Sequence, residues 1–203
     1  MTRRIAIALL SPPRFTPSGV TAEAWRLALA EDVLDVLATL AEVDAAVAVR
    51  ASEAGLARSV GWPGLHVYAV PVLDAPSVFA AAHADGYEQA VLLAADAPDL
   101  PGLVIAKLLR PLTTRPVAAA PSHSGTGLLG LAAALPAPSW LPATDLDSLS
   151  PQSLRRLSPQ VTDVAPASGW HRLGSVADLD RLDPRLEGWD ATRALLASVP
   201  RPA

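Results

Sequence analysis

The stretch Val91-Leu-Leu-Ala-Ala-Asp96-Ala-Pro-Asp99-Leu-Pro101 decides the fold class of this chain. Five apolar residues in succession are typical of a strand that is buried on both faces, as in a parallel sheet covered by helices on each side. Asp96 stands where that strand should end, and Pro98 and Pro101 prevent the strand from continuing. Because ligands of open α/β sheets bind at the carboxyl ends of the strands, Asp96 stands at the expected binding edge.

Asp96 and Asp99 have two interpretations. Two carboxylates at the end of a strand are suited to hold a divalent cation on a phosphate group. Alternatively, Asp99 caps the following helix and Asp96 closes a turn. The stretch by itself leaves both interpretations open.

Length and composition limit the classes of protein to consider. The 203 residues, of which 51% are hydrophobic, suit a single domain over 1–203, with 183–203 as a C-terminal helix and tail. No apolar run approaches the roughly 20 residues of a membrane helix, and Pro12 and Pro13 interrupt the apolar start too early for a signal peptide. These features predict a cytoplasmic protein with no membrane partner.

Charge and cysteine content exclude further classes. The chain has no cysteine, which excludes disulfides, thiolate metal sites and cysteine nucleophiles. A net charge of −4 with scattered arginines argues against nucleic acid as a partner. The oligomeric state stays open, a homo-oligomer included.

Strand-like and helix-like segments alternate along the chain, which predicts an α/β fold. Strands are predicted at residues 3–10, 45–49, 65–70, 91–95, 116–120 and 161–164. Helices are predicted at 75–84, 103–109 and 150–157, after a first helix that Thr21 caps, and a last helix carries Trp189. Residues 128–133 fit either a strand or the start of a helix.

A second acidic pair, Asp178 and Asp180, follows a predicted late strand at 171–176. One aspartate from each acidic pair would complete an oxygen-ligand site for Mg²⁺ or Mn²⁺. The alternative is that Asp178 caps a helix and Asp180 is solvated.

A loop of small residues, Pro121-Ser-His123-Ser-Gly125-Thr-Gly127-Leu-Leu-Gly130, follows the predicted strand at 116–120. Glycines let a backbone approach a ligand closely, and the N–H groups of such a loop can bind phosphate or sugar oxygens. The candidate binding residues here are His123, Ser124, Gly125, Thr126 and Gly127. The loop matches neither a Walker motif nor the dinucleotide fingerprint, and an ordinary connecting loop is the alternative.

Arg14 is the candidate cation in the loop after the first strand, where it would reach a triphosphate. The alternative is a solvated surface charge. The four histidines show no metal-ligand spacing.

Taken together, these segments resemble the nucleotide-diphospho-sugar transferase superfamily, which has the glycosyltransferase-A fold. The similarity is greatest to a bacterial family of glycosyltransferase-like proteins related to 2-phospho-lactate guanylyltransferase and molybdenum cofactor guanylyltransferase. It covers residues 5–183 and rests on the first helix with Asp32, on residues 94–101, on residues 123–131 and on residues 175–180.

The resemblance implies a three-layer α/β/α fold with a mostly parallel mixed sheet. It implies a metal-dependent glycosyl- or nucleotidyltransferase that uses a nucleotide-sugar or a nucleoside triphosphate and a small-molecule acceptor. Asp96 and Asp99 would be catalytic, and Asp96, Asp178 and Asp180 would bind Mg²⁺ or Mn²⁺. The nucleotide and substrate would contact Arg14, His123, Ser124, Gly125, Thr126 and Gly127.

The chain also departs from the family pattern at its basic groups. The family has a lysine and an arginine after the first strand, whereas Ser11-Pro-Pro-Arg14 contains no lysine, and His123 replaces an acidic residue. Nucleotidyl transfer depends on cations that stabilise developing charge. The departures therefore support a second hypothesis, a catalytically lapsed member that acts as a nucleotide- or metabolite-binding or protein-interaction module.

Overall fold

A mixed sheet of seven strands forms the centre of the computed structural model, which describes residues 2–125 and 127–198. The strands are β1 (Arg4–Leu9), β2 (Asp44–Arg50), β3 (His66–Val70), β4 (Gln89–Ala94), β5 (Val117–Pro121), β6 (Leu128–Ala134) and β7 (Val164–Pro166). Their order across the sheet is β3-β2-β1-β4-β6-β5-β7. Only β6 runs antiparallel to its neighbours β4 and β5, so the predicted mostly parallel mixed sheet is confirmed.

Helices cover both faces of this sheet. They are α1 (Ala22–Ala38), α2 (Ala54–Ala57), α3 (Ala75–Ala84), α4 (Gly102–Leu109), α5 (Pro151–Leu157) and α6 (Asp190–Ser198). Core side chains of α1, α2 and α4 pack on one face and those of α3 and α5 on the other, as the three-layer prediction requires. Among the described residues, no helix is both long enough and apolar enough to cross a membrane.

Strand β4 is buried on both faces, as the apolar run at 91–95 predicts. Leu92 packs in the core beneath α3, while Val91 and Leu93 pack in the core beneath α1 and α4. The strand therefore lies at the centre of the fold and fixes the position of Asp96 just beyond its carboxyl end.

Three local predictions differ from the structure or were left open. Residues predicted as a strand at 161–164 form the 3₁₀ helix Val161–Asp163, and only then β7. The ambiguous residues 128–133 lie in strand β6. The late strand predicted at 171–176 does not form. Residues 169–174 have no regular secondary structure apart from one bridge between Trp170 and Ser122, and Val176 begins the 3₁₀ helix Val176–Arg181. We call residues 169–174 the crossing segment.

The sheet order places a cleft where ligands of this fold class bind. Strands β2 and β3 lie on one side of β1, and β4 lies on the other. The carboxyl ends of β1 and β4 therefore meet at a topological switch point, the usual position of a binding crevice in an open α/β sheet.

Candidate functional site

A cleft of about 190 Å³ opens at this switch point, against Leu9 of β1, Arg50 of β2 and Ala94 of β4. Its charged lining consists of three arginines and three aspartates, namely Arg26, Arg50, Arg172, Asp96, Asp145 and Asp147. Asp96 thus lies in a cleft at the carboxyl end of its strand, and positive and negative side chains are balanced around it.

Asp96 forms a buried ion pair with Arg172 of the crossing segment. The Nε of Arg172 donates to Oδ1 of Asp96 at 2.5 Å and its Nη2 donates to Oδ2 at 2.9 Å. Its Nη1 donates to Oδ1 of Asp147 at 2.6 Å and to the carbonyl of Leu128 at 2.9 Å. Burial alone would lower the pKa of Arg172, but Asp96 and Asp147 raise that pKa above its ordinary value, so the guanidinium stays charged.

Arg14 lies at the same pair of carboxylates. Its Nη2 is 3.4 Å from Oδ2 of Asp96, and its Nε is 3.9 Å from Oδ2 of Asp147. The guanidinium packs on Gly174, where an added Cβ would come within 3.2 Å of its Cζ. The structure therefore brings Arg14 and Asp96 together as an ion pair within the protein.

Asp99 also contacts the crossing segment. Its Oδ1 accepts a hydrogen bond from Nε1 of Trp170 at 3.0 Å, and its Oδ2 lies 3.0 Å from Nε2 of His171. Helix α4 begins after Pro101 without a side-chain cap, so Asp99 does not have the capping role that was its alternative. Asp99 instead fixes two aromatic rings of the crossing segment.

His123 and Ser124 contact the crossing segment from its other side. The backbone N–H of His123 donates to the carbonyl of Trp170 at 2.8 Å. Ser124 Oγ donates to the carbonyl of Arg172 at 2.5 Å and accepts from the Arg172 N–H at 2.9 Å. The loop residues predicted to bind a ligand thus hold the backbone that presents Arg172 to Asp96.

Two glycines give this loop its path. Gly125 and Gly127 have φ angles of 94° and 76°, which L side chains rarely adopt. A Cβ at Gly127 would lie 2.7 Å from Cα of Asp147, so the glycine allows the close approach of the segment that carries Asp147. Thr126 lies outside the described residues.

Asp178 and Asp180 do not join Asp96 in a shared donor set. Asp178 Oδ2 accepts from the Gly174 N–H at 3.1 Å and from Ser175 Oγ at 2.8 Å. Burial would raise the pKa of Asp178, but these bonds and the charge of Arg181 lower it below its ordinary value. Asp180 is exposed, as its alternative states, whereas Asp178 lies inside the 3₁₀ helix Val176–Arg181, whose N-cap position is Ser175.

The donor chemistry of this arrangement does not fit a divalent cation. Both oxygens of Asp96 already contact guanidinium groups. Within residues 2–125 and 127–198, no group of three or more histidine, aspartate or glutamate side chains is placed to hold a metal ion. The metal site at Asp96, Asp178 and Asp180 stays a prediction that these contacts do not support.

Sequence reasoning did not single out Arg172, Asp147 or Trp170. The signal present in the sequence is the run Gly169-Trp-His-Arg-Leu-Gly174, which places an arginine between aromatic and apolar neighbours. The partner of Arg172, Asp96, is 76 positions away in the chain, so the local spacing of residues could not predict the pair.

Solved structures share this architecture, whereas no protein-family model and no curated protein matches the chain. A Desulfovibrio desulfuricans G20 protein named as a nucleotide-diphospho-sugar transferase is 19% identical, with a TM-score of 0.68 over 97% of this chain and 96% of that one. CMP:2-keto-3-deoxy-manno-octonic acid synthetase, solved with CTP, is 14% identical, with a TM-score of 0.59 over 97% and 99%.

A further similar structure contains a sugar nucleotide. Glucosyl-3-phosphoglycerate synthase from Mycobacterium tuberculosis, solved with Mn²⁺, UDP-glucose and phosphoglyceric acid, is 15% identical, with a TM-score of 0.53 over 97% of this chain and 79% of that one. At these identities the similarity establishes the fold. The chain therefore has the glycosyltransferase-A fold that these solved structures share.

Proposed function

We propose that the chain is a transferase that binds a nucleotide-sugar or a nucleoside triphosphate in the cleft at the carboxyl ends of β1 and β4. A hydroxyl or phosphate oxygen of a small acceptor would form the new bond to the glycosyl carbon or the nucleotidyl phosphorus. The bond from that atom to the diphosphate or pyrophosphate leaving group would break, and a hydroxyl acceptor would lose its proton.

The observation that carries this proposal is the set of arginines in the cleft. Arg26, Arg50 and Arg172 line it, and guanidinium groups match the geometry of phosphate oxygens. Arg50 is exposed at the end of β2, and its side chain makes no hydrogen bond or ion pair among the described residues, although its charge acts on Glu53. The guanidinium is therefore accessible to a ligand. The fold neighbours with bound CTP and UDP-glucose support a nucleotide as the occupant.

In this proposal, Asp99 and the loop at 123–127 support the site. Asp99 holds the aromatic rings of the crossing segment, so it would act by keeping Arg172 in place. His123 and Ser124 lie against the crossing segment, and the loop at 123–127 stays the proposed contact for the sugar or acceptor. The cleft is smaller than the roughly 300 Å³ at which small-molecule pockets begin, so the base or the acceptor would extend beyond it.

A second candidate function is binding without transfer. It is favoured by the ion pair between Asp96 and Arg172, because that pair occupies the carboxylate that the resemblance assigns to metal-assisted catalysis. Such a protein would bind a nucleotide or metabolite in the same cleft and release it unchanged.

A thermal-shift panel of CTP, GTP, ATP, UTP, UDP-glucose and GDP-mannose tests the proposed function. Binding at about 100 times Kd stabilises a protein by about 2.7 kcal/mol, which corresponds to a Tm rise of about 5–10 °C for a chain of this size. Arg50→Gln should weaken the best ligand about tenfold or more. Arg58→Gln, an exposed arginine outside the cleft, is the matched control.

Product analysis then separates the two candidates. Phosphorus NMR of the best donor with a mixture of small hydroxylated and phosphorylated acceptors should reveal released diphosphate or pyrophosphate if the protein is a transferase. Binding with no release would support the second candidate. No thermal shift with any nucleotide would contradict both.

A further inference from the structure

Two carboxylates and two guanidinium groups form a charge cluster, of which Asp96, Asp147 and Arg172 line the cleft. Arg172 contacts both Asp96 and Asp147, and Arg14 lies beside the same two carboxylates. The two guanidinium groups together carry a charge of +2 and the two carboxylates a charge of −2, so these four groups are neutral in total. One divalent cation between the same two carboxylates would give the same total.

The cluster is built into the fold. The side chain of Arg172 is only 5% exposed and that of Asp96 10% exposed. Ser124 fixes the Arg172 backbone through both its N–H and its carbonyl, and the carbonyl of Leu128 accepts from Nη1. These contacts hold the guanidinium where a cation on Asp96 would lie, and a divalent ion entering there would be repelled by it.

Arg172 keeps one donor for a ligand. Its Nε donates once, its Nη1 donates twice and its Nη2 donates once, to Asp96. Because Nη2 carries two hydrogens, one N–H has no partner among the described residues. Arg172 lines the cleft together with the exposed Arg50, so the cleft offers two guanidinium groups to the phosphate groups of a ligand.

We propose that Arg172 and Arg14 take the place of a divalent cation on Asp96 and Asp147, so that the cleft binds the phosphate groups of a nucleotide through Arg172 and Arg50 without a metal ion. The proposal rests on the proposed function, because it concerns the same cleft. It separates this chain from the fold neighbour that was solved with Mn²⁺ and UDP-glucose.

The test is calorimetric titration of the wild-type protein with UDP and with CTP, once in EDTA and once with Mg²⁺. We expect the two Kd values for each nucleotide to agree within about threefold. Binding with Mg²⁺ but not in EDTA would overturn the inference and leave the proposed function standing. No binding under either condition would overturn the proposed function itself.

Direct metal binding gives a second measurement that does not depend on nucleotides. Electron paramagnetic resonance of Mn²⁺ should show the ion free in the presence of the wild-type protein. In Arg172→Gln, which leaves Asp96 and Asp147 without their shared cation, we expect Mn²⁺ to bind and UDP affinity in EDTA to fall about tenfold or more. Wild-type protein that binds Mn²⁺, and loses it in Asp96→Asn, would contradict the inference.

A milder pair of variants covers the case in which Arg172→Gln does not fold. Arg14→Gln changes a half-buried member of the cluster and should weaken UDP in EDTA about threefold or more. Arg58→Gln, outside the cleft, should leave that Kd unchanged. Equal Kd values for Arg14→Gln and wild type would count against the contribution of Arg14.

Discussion

Arg172 makes two hydrogen bonds to the carboxylate of Asp96, at 2.5 and 2.9 Å, although the two residues are 76 positions apart in the chain. This pair connects the end of β4, the central buried strand, to the crossing segment that follows β7. The N–H of Leu173 also donates to the carbonyl of Asp96 at 2.8 Å, so backbone and side chain are fixed together. The pair therefore lines the cleft and also connects two distant parts of the chain.

Replacing Arg172 with methionine should destabilise the protein by about 3 kcal/mol or more. Methionine keeps the apolar length of the side chain, but it leaves the buried Asp96 with only the longer contact to Arg14. Removing one member of a buried pair costs about 3–5 kcal/mol. The measurement is the free energy of unfolding from urea denaturation.

Arg181→Met is the control for that variant. Arg181 is about half exposed and pairs with Asp178 across 3.5 Å, so its loss should cost about 1 kcal/mol or less. Adding Asp96→Asn to Arg172→Met should show a coupling energy of about 1–3 kcal/mol. Additive effects of the two substitutions would mean that the ion pair does not stabilise the fold.

Gly169→Ala should disrupt the crossing segment at its first residue. A Cβ there would lie 2.2 Å from the carbonyl oxygen of Pro121 and 2.7 Å from Nε2 of His123. Since a backbone atom cannot yield as a flexible side chain does, we expect a destabilisation of about 1–3 kcal/mol and weaker nucleotide binding. Gly55→Ala, which meets nothing within 4 Å, should change the free energy of unfolding by about 0.5 kcal/mol or less.

The core of the fold was predictable because burial on two faces leaves a local signature. The apolar run of β4 and the helical spacing after Thr21 both read correctly from sequence, and Thr21 accepts the N–H of Ala24 as an N-cap should. The sequence did not reveal that the late segment at 171–176 forms no strand. Its apolar residues, Leu173 and Val176, resemble a strand, but its polar groups bond to Ser124 and Asp96 instead of to a neighbouring strand.

The position of Asp96 in the cleft was predictable from sequence, whereas the charge balance around it was not. Position at a strand end placed Asp96 in the cleft, because the topology of α/β sheets fixes that edge. The pairing of Asp96 with Arg172 depends on where the crossing segment passes, and that path is set by Asp99 and Ser124 together. Such a path is a tertiary property that residue spacing does not encode.

Asp32→Ala should loosen the last helix rather than the cleft. The Asp32 carboxylate, on α1, accepts from the N–H groups of Ala191 and Thr192 at 2.9 Å each and so caps α6 from a distance. Loss of an N-cap costs about 0.5–2 kcal/mol, and hydrogen exchange should accelerate first in α6. Asp35→Ala, an exposed change on the same helix, should change the free energy of unfolding by about 0.5 kcal/mol or less. Slower or unchanged hydrogen exchange in α6 of Asp32→Ala would contradict the capping role of Asp32.

Acid should remove the stabilisation that Glu53 provides. Arg26 donates to both carboxylate oxygens of Glu53, at 2.6 and 3.2 Å, and these bonds hold the pKa of Glu53 below its ordinary value of 4.5. Because the pKa of Glu53 is lower in the folded state than in the unfolded state, its contribution to the free energy of unfolding is complete above pH 4.5. That contribution disappears as the pH falls through the folded-state pKa. Glu53→Gln should therefore be less stable than wild type by about 1 kcal/mol at neutral pH and should converge with it in acid. Glu31→Gln is the control, because Glu31 is exposed and makes no ion pair among the described residues. If the stability of Glu31→Gln also converged with that of wild type in acid, the effect would come from overall charge rather than from the contact with Arg26.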